Sequence, residues 1–344
     1  MRVLLCASAL RALDGVGSHL EAVASHLLRD GADVHVLLLH RRHERDKTDK
    51  TAYLLPRLLA LRGCTLIPPS ESASIAGGYW DLCVGYSREA TDILGELLPL
   101  APKLVVHLDP RRTAQAATYR NMLHIGATEE VCSGLLKARQ MAPERIRLVR
   151  TPIDSRRFRN LGPPSDSPRR ILVVATRPRM GAVMEYAKSV GASVTVVGRD
   201  ALDVPSRCFR IRNPWRATKV GAARKRRVEY NIERVMQGSD LVIATGRAAY
   251  EAMMCGRPVL FHTPGGLGEC MPLDEPSFAR LIETNCSGRL LGARMQSAAR
   301  LREELAAYDP QVSARLRGWV KSRFDAEPIV RHIVDLAGEA VDDV

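Results

Sequence analysis

Aromatic side chains are scarce in this 344-residue sequence, and long apolar runs are absent from it. Phe, Trp and Tyr make up 5% of the residues, which leaves few rings for a surface that stacks bases or lines sugar subsites. A membrane-spanning helix needs ~20 apolar residues, and no segment approaches that length. The run at Met1–Cys6 is too short for the apolar core of a signal peptide. We therefore expect a cytoplasmic protein that could meet a membrane only peripherally.

The cysteines lack the close spacing of metal and redox sites. Cys6 and Cys83 lie in apolar, strand-like runs, and the others are scattered along the chain. Zinc sites and redox motifs bring two thiols within a few residues of each other. We therefore expect isolated thiols in a reducing compartment, without a metal site or a disulfide framework.

Positive charge is abundant. The chain has 51 Lys and Arg against 38 Asp and Glu, a formal net charge of +13. A field of this sign attracts phosphates, whether they belong to a nucleotide, an anionic lipid or a nucleic acid. The charge does not choose among these partners, but it narrows the partner to an anion.

Strand and helix patterns alternate along the chain, which is typical of parallel sheets covered by helices on both faces. A buried strand at Val3–Cys6 precedes apolar residues at helical spacing from Leu20 to Leu28, and Gly31 ends that helix. The alternation of strand and helix patterns stops at Leu161–Pro168, where Pro, Gly and Ser indicate a linker, and it resumes at Ile171. Together with the length, this pattern predicts two α/β domains in tandem.

Ligands of open parallel sheets bind beyond the carboxyl ends of the strands. In the N-terminal half, Gly15, Gly17 and Ser18 lie between a strand and a helix, where backbone amides could bind an anion or simply form a turn. His107 ends another strand and could donate to a substrate hydroxyl or take its proton, with Asp109 to orient it. A histidine at a strand end could also be structural.

The C-terminal half offers two more candidate segments. Arg177 and Arg179 follow its first strand, where two guanidinium groups could bind a diphosphate or could be solvated surface residues. A later strand leads into Thr245-Gly246-Arg247, and the following helix would direct its free amides at an anion. Glu251 lies on the same helical face as Arg247, where its carboxylate could bind the two hydroxyls of a ribose.

This last segment carries a family resemblance. The stretch from Ser239 to Leu260 resembles the donor-binding region of GT-B glycosyltransferases of the glycogen-synthase-like group. Further segments are similar to other motifs of that group: the Gly15/Gly17 loop, Thr151–Asp154, Gly265-Gly266 with Glu269, and Asn285–Leu290. The likeness spans nearly the whole chain and is strongest in the C-terminal half.

The resemblance implies a nucleoside diphosphate sugar as donor substrate, with no metal and no cofactor. It implies two Rossmann-like domains facing a cleft, with the C-terminal helix crossing back to the N-terminal domain. The acceptor-side domain would comprise residues 1–162 and 324–344, and the nucleotide-sugar domain residues 163–323.

By the same resemblance, His107 would be the histidine of the cleft. The donor would be held by Arg177, Thr245, Gly246, Arg247 and Glu251. Two departures stand out: Ile243 occupies the position of the group's usual first glutamate, and Met180 that of the lysine expected after the arginines. Glu269 and Arg179 are candidates to replace these groups. An inactive relative that still binds a nucleotide sugar is an alternative.

A basic stretch from Arg207 to Arg227 bears on the acceptor. It could be a solvated loop, or it could contact an anionic membrane, where the attraction is ~1 kcal/mol for each basic residue. We first expect a lipid-linked or polysaccharide acceptor at the cytoplasmic membrane face. The same charge would suit a glycosyltransferase that acts on modified bases in DNA. A non-enzymatic protein that binds nucleotide sugars or phosphate is the remaining class.

Overall fold

The computed structural model describes residues 1–8, 15–39, 61, 63–110, 119, 121–139, 141–174, 180–197, 232–263, 266–267, 274–286, 303 and 305–342. The chain divides into two units, Met1–Pro152 with Asp325–Val344, and Ile153–Phe324. The sequence placed this division ten residues later, after residue 162. The segment expected to be a linker, Leu161–Pro168, lies within the second unit.

The first unit is built on a parallel sheet of seven described strands, in the order β3-β2-β1-β4-β5-β6-β7. These are β1 (Arg2–Ala7), β2 (Asp33–Leu38), β3 (Cys64–Ile67), β4 (Leu82–Gly85), β5 (Lys103–His107), β6 (Met122–Gly126) and β7 (Ile146–Leu148). The order reverses between β1 and β4. The crevice beyond the carboxyl ends of these two strands is where open α/β sheets bind ligands.

The second unit has the described strand order β12-β11-β10-β8-β9, in which only the β11–β12 pair is antiparallel. Its strands are β8 (Arg170–Val174), β9 (Ser193–Val197), β10 (Leu241–Ala244), β11 (Val259–Thr263) and β12 (Gly266–Leu267). Here the order reverses between β8 and β10. Val174 and Ala244, at the carboxyl ends of these strands, are paired.

The described helices cover both sheets. They are α1 (Gly15–Arg29), α2 (Arg88–Leu97), α3 (Glu129–Arg139), α4 (Met180–Ser189), α5 (Ile232–Gln237), α6 (Arg247–Met254), α7 (Glu275–Glu283), α8 (Val312–Phe324) and α9 (Ala326–Asp342). Short 3-10 segments cover Pro69–Gly77 and Pro143–Arg145. None of the described helices is long and apolar enough to cross a membrane.

The C-terminal helix belongs to the core of the first unit. Val330, Ile333 and Leu336 of α9 share one hydrophobic cluster with Leu20 and Val23 of α1. All five side chains are at most 1% exposed. This confirms that the final helix returns to the N-terminal α/β unit.

Glycine ends the first helix as expected. The amide of Gly31 donates to the carbonyl of Leu28, and that of Ala32 to the carbonyl of Leu27. Gly31 has φ 79°, a left-handed conformation that glycine adopts without strain. Its amide and the next thereby satisfy carbonyls at the end of α1 before the chain enters β2.

Asp240 fixes the opposite, amino edge of the second sheet. Its carboxylate accepts hydrogen bonds from the Ser165 hydroxyl at 2.9 Å and from the backbone amides of Arg169 at 3.1 Å and Arg170 at 2.8 Å. Burial acts to raise the pKa of Asp240, but the hydrogen bonds from Arg170 and Ser165 outweigh it and hold that pKa below its usual value. Because Ser165 lies in the predicted linker, these bonds explain why this segment is part of the second unit.

Candidate active site

The turn between β10 and α6 is the best-defined part of the candidate site. The strand ends at Ala244, and Thr245 and Gly246 lead into the helix at Arg247. Gly246 has φ 59° and ψ −141°, close to a region that essentially only glycine occupies. A Cβ there would lie 3.6 Å from Asn285, an ordinary contact. The requirement for glycine is therefore one of backbone conformation and not of space.

The body of α6 holds this turn in place. Ala249, Tyr250, Ala252 and Met253 are at most 1% exposed and pack into the core of the second unit. The ring of Tyr250 stacks on that of Phe324 with 4.2 Å between centroids. The first turn of α6 contains no acidic residue, so the positive end of the helix dipole is not offset there. A buried helix thus presents a positive amino end at the carboxyl edge of the sheet.

Arg247 and Glu251 form an ion pair on this helix. The Nε atom of Arg247 donates to Oε1 of Glu251 at 2.7 Å, and the two side chains are 12% and 9% exposed. Glu251, the expected ribose ligand, therefore already has one partner. A carboxylate can accept about four hydrogen bonds, so the pair leaves acceptor capacity for two vicinal hydroxyls.

A second loop meets the turn, and it begins the segment Asn285–Leu290 that resembles a motif of the glycogen-synthase-like group. The amide of Asn285 donates to the carbonyl of Ile282, and that of Cys286 to the carbonyl of Leu281, which ends α7. Asn285 has φ 56°, at the position where glycine or asparagine commonly ends a helix. The Cys286 carbonyl in turn accepts from the Gly246 amide at 3.5 Å. The resemblance located this loop, but the hydrogen bond from Gly246 to Cys286 was not predicted.

Three predicted donor ligands, Arg177, Arg179 and Glu269, fall outside the described residues. So does the basic stretch Arg207–Arg227, which was predicted to contact an anionic surface. The strand that precedes Arg177 is β8, whose last residue pairs with the last residue of β10. The strand ends ahead of the two predicted donor segments are therefore neighbours.

The first unit also brings predicted residues together. Gly15, Gly17 and Ser18 lie in the first turn of α1, and Gly17 is buried. A Cβ at Gly15 would lie 3.4 Å from Cδ1 of Leu108, the residue between His107 and Asp109. The amino end of α1 and the end of β5 therefore lie side by side, as expected of two ligand-binding segments at one edge of a sheet.

His107 pairs with a second histidine that the sequence analysis missed. Its Nε2 lies 3.0 Å from Nδ1 of His124 on β6, and the rings are stacked with 5.3 Å between centroids. The described hydrogen-bond partner of this ring is thus His124, and the orienting role of Asp109 stays a prediction. Burial lowers the pKa of His107 to about 4. Burial, together with the His107 and Arg145 charges, lowers that of His124 to about 3.

Hydroxyl groups cluster just beyond the carboxyl ends of β1 and β4. The Ser8 hydroxyl donates to the Ser87 hydroxyl, which also caps α2 by accepting from the Ala90 amide at 3.2 Å. The Tyr86 hydroxyl lies 3.1 Å from Nδ1 of the buried His19. These residues line the switch point of the first sheet and can form hydrogen bonds with polar ligands. In the parts of the chain described above, no three His, Cys, Asp or Glu side chains come together as a metal site would require.

No protein-family model matches the sequence, and a search of curated proteins found no significant match. Solved structures do match over nearly their whole length. HepE from Anabaena, in complex with UDP and glucose, has a TM-score of 0.57 and 14% identity, covering 98% of this chain and 99% of that one. A glycosyltransferase from Rickettsia africae has a TM-score of 0.59 and 14% identity, covering 99% of each chain.

TarM from S. aureus, solved with UDP among its ligands, has a TM-score of 0.62 at 9% identity and covers 98% of this chain and 99% of that one. Likeness at such low identity is evidence of shared architecture and not of shared activity. Each unit has a mainly parallel sheet with helices, and the C-terminal helix belongs to the first unit. These features agree with the architecture of the matched structures. The chain therefore has the GT-B fold.

Proposed function

We propose that this protein is a glycosyltransferase that moves a sugar from a nucleoside diphosphate sugar to an acceptor. The observation that carries the proposal is the turn at Thr245-Gly246-Arg247. A glycine-specific conformation there starts a buried helix at the carboxyl edge of the second sheet, next to the point where the strand order reverses. Such a helix end favours phosphate groups. HepE and TarM, solved with UDP, support a nucleotide as the phosphate-bearing ligand.

In the proposed reaction, the bond between the anomeric carbon and the diphosphate oxygen breaks. The acceptor oxygen bonds to that carbon, and its proton passes to the departing diphosphate. Negative charge grows on the departing diphosphate, and the groups proposed to stabilise it are the α6 amides, Arg247 and Arg177. Glu251 would bind the ribose hydroxyls. We propose that these groups act without a metal ion, so that excess chelator would leave the rate unchanged.

A screen of nucleotide sugars by thermal shift tests the donor. A ligand at one hundred times its Kd stabilises the folded state by about 2.7 kcal/mol. For the second unit, Ile153–Phe324, unfolding on its own, that corresponds to a rise in Tm of about 5–10 °C. A specific rise with one nucleotide sugar, followed by release of its nucleoside diphosphate when acceptor is added, would support the proposal. A rise without any turnover would favour the inactive, donor-binding relative.

For the acceptor, we propose a lipid-linked or polysaccharide glycan at the cytoplasmic face of a membrane. The support is the net charge of +13 and the basic stretch Arg207–Arg227. Binding to anionic but not to neutral vesicles would agree with this. Tight binding to duplex DNA, with a steep dependence on salt and no binding to vesicles, would favour the alternative that modified bases in DNA are the acceptor.

A further inference from the structure

We infer that His124 is a positioning residue that keeps His107 as a neutral hydrogen-bond donor through Nδ1, so that His107 binds an oxygen atom of the ligand and does not act as a general base. The ligand's identity rests on the proposed function, whereas the state of the ring does not. The sequence left both roles open for His107. The pairing between β5 and β6 places His124 next to His107, and this contact decides between the two roles.

The two rings can share only one hydrogen atom. Nε2 of His107 faces Nδ1 of His124 at 3.0 Å, a distance at which one nitrogen must donate and the other accept. His124 is 0% exposed, and its other nitrogen, Nε2, has no hydrogen-bond partner among the described residues. The favoured arrangement is the one with the smaller free-energy cost at this buried nitrogen.

If His107 donated, the proton of a neutral His124 would have to lie on Nε2. That would bury an N–H group with no described acceptor, which folded proteins rarely tolerate. If His124 donates from Nδ1 instead, its buried Nε2 is a bare lone pair, a milder defect. Donation by His124 is therefore favoured, and His107 accepts at Nε2.

A neutral histidine that accepts at Nε2 carries its proton on Nδ1. No other hydrogen bond of the His107 ring is present among the described residues. Its Nδ1–H group can therefore donate to a ligand, while its single lone pair is already taken by His124. A general base needs that lone pair, and His107 no longer has it to offer.

The surroundings keep the pair uncharged. Arg145, in the 3-10 segment before β7, is the described charge that acts on His124, and it disfavours protonation there. Among the described groups that shift the pKa of either ring, none is a carboxylate. Burial adds to the same effect on both rings. At neutral pH, the pair therefore holds one proton on each ring.

Long-range 1H–15N NMR of histidine-labelled protein tests the assignment, because the two nitrogens of each neutral tautomer have different shifts. Comparison with His107→Gln and His124→Asn identifies the two rings, and His332→Gln, on the exposed side of α9, is the control. We expect His107 to carry its proton on Nδ1 and to remain neutral from pH 8 to 5. His107 protonated on Nε2, or titrating near pH 6.5, would overturn the inference.

Two substitutions separate positioning from packing. His124→Leu removes the donor but leaves His107 buried, so His107 should stay neutral at pH 7 but lose its fixed Nδ1–H tautomer and populate the Nε2–H form as well. His124→Asn keeps an N–H donor close to the position of Nδ1 and should preserve the Nδ1–H state of His107. If both variants left the His107 spectrum unchanged, His124 would have no positioning role.

With an active donor and acceptor pair, kcat/KM should show no acidic limb near pH 6.5 in the wild type, and at neutral pH it should fall more in His124→Leu than in His124→Asn. An acidic limb near pH 6.5 in the wild type would contradict the inference. Failure to bind any nucleotide sugar, with the NMR spectra as expected, would overturn the proposed function and leave the assignment of the ring intact.

Discussion

Replacement of Gly246 by alanine is the sharpest test of the candidate donor site. At φ 59° and ψ −141°, an alanine would be held in backbone geometry that costs about 1–3 kcal/mol. Among the described residues, the added methyl group would meet nothing closer than 3.6 Å, so steric overlap with them adds little to this cost. We expect Gly246→Ala to lower the free energy of unfolding by about 1–3 kcal/mol, or Tm by about 2–12 °C.

The same substitution should weaken donor binding, because the strain can be relieved only if the start of α6 moves. Isothermal calorimetry with the best nucleotide sugar measures this loss directly. Gly338→Ala is the matched control, since Gly338 lies exposed inside α9 and no described atom lies within 4 Å of an added Cβ. That change should stabilise the protein by about 0.5–1 kcal/mol and leave the donor affinity unaltered. If Gly246→Ala matched the wild type in both stability and affinity, the turn would not be the strained phosphate-binding element described here.

Three more results are expected. Glu251→Ala should raise the donor Kd about 10–100-fold in calorimetry, because a buried ribose loses a charged acceptor, whereas Glu327→Ala, which removes an exposed Glu–Arg pair on α9, should not. Asp240→Ala should lower the free energy of urea unfolding by about 3 kcal/mol by removing the buried carboxylate that pairs with the amides of Arg169 and Arg170, without changing donor affinity in the folded protein. Acid should destabilise the first unit: the pKa values of His107 and His124 are lower folded than unfolded, so the unfolded chain binds more protons below pH 6.5. Each histidine should then cost about 2 kcal/mol of unfolding free energy between pH 7 and pH 5 in urea titrations. His124→Leu should remove the share of His124 from that dependence, and an unchanged slope would contradict the low pKa of this buried ring.

Local chemistry explains what the sequence could predict. The helix ends at Gly31 and Gly256 were predictable, because a left-handed residue that stops a helix is recognisable from its immediate neighbours. The turn at Thr245–Arg247 was predictable for the same reason. Its glycine lies between a buried strand and an apolar helix that are contiguous in the chain.

Long-range pairing explains what the sequence could not predict. Strand β6 is only five residues long and carries His124 in its middle, so no alternation of apolar residues marks it. It forms because β5 and β7 flank it. The role of Asp240 likewise depends on Ser165, distant in the chain. A proline- and serine-rich segment looks like a linker until the carboxylate that binds it is known.

The return of α9 to the first unit has a consequence for synthesis on the ribosome. The side chains that complete the N-terminal core, among them Val330 and Leu336, are translated after the whole of Ile153–Phe324. Until α9 is synthesised, the surfaces of Leu20 and Val23 that pack against it stay uncovered, although the second unit can already fold. The first unit is therefore the last to be completed. We expect the nascent chain to be prone to aggregation between the synthesis of residue 152 and that of α9.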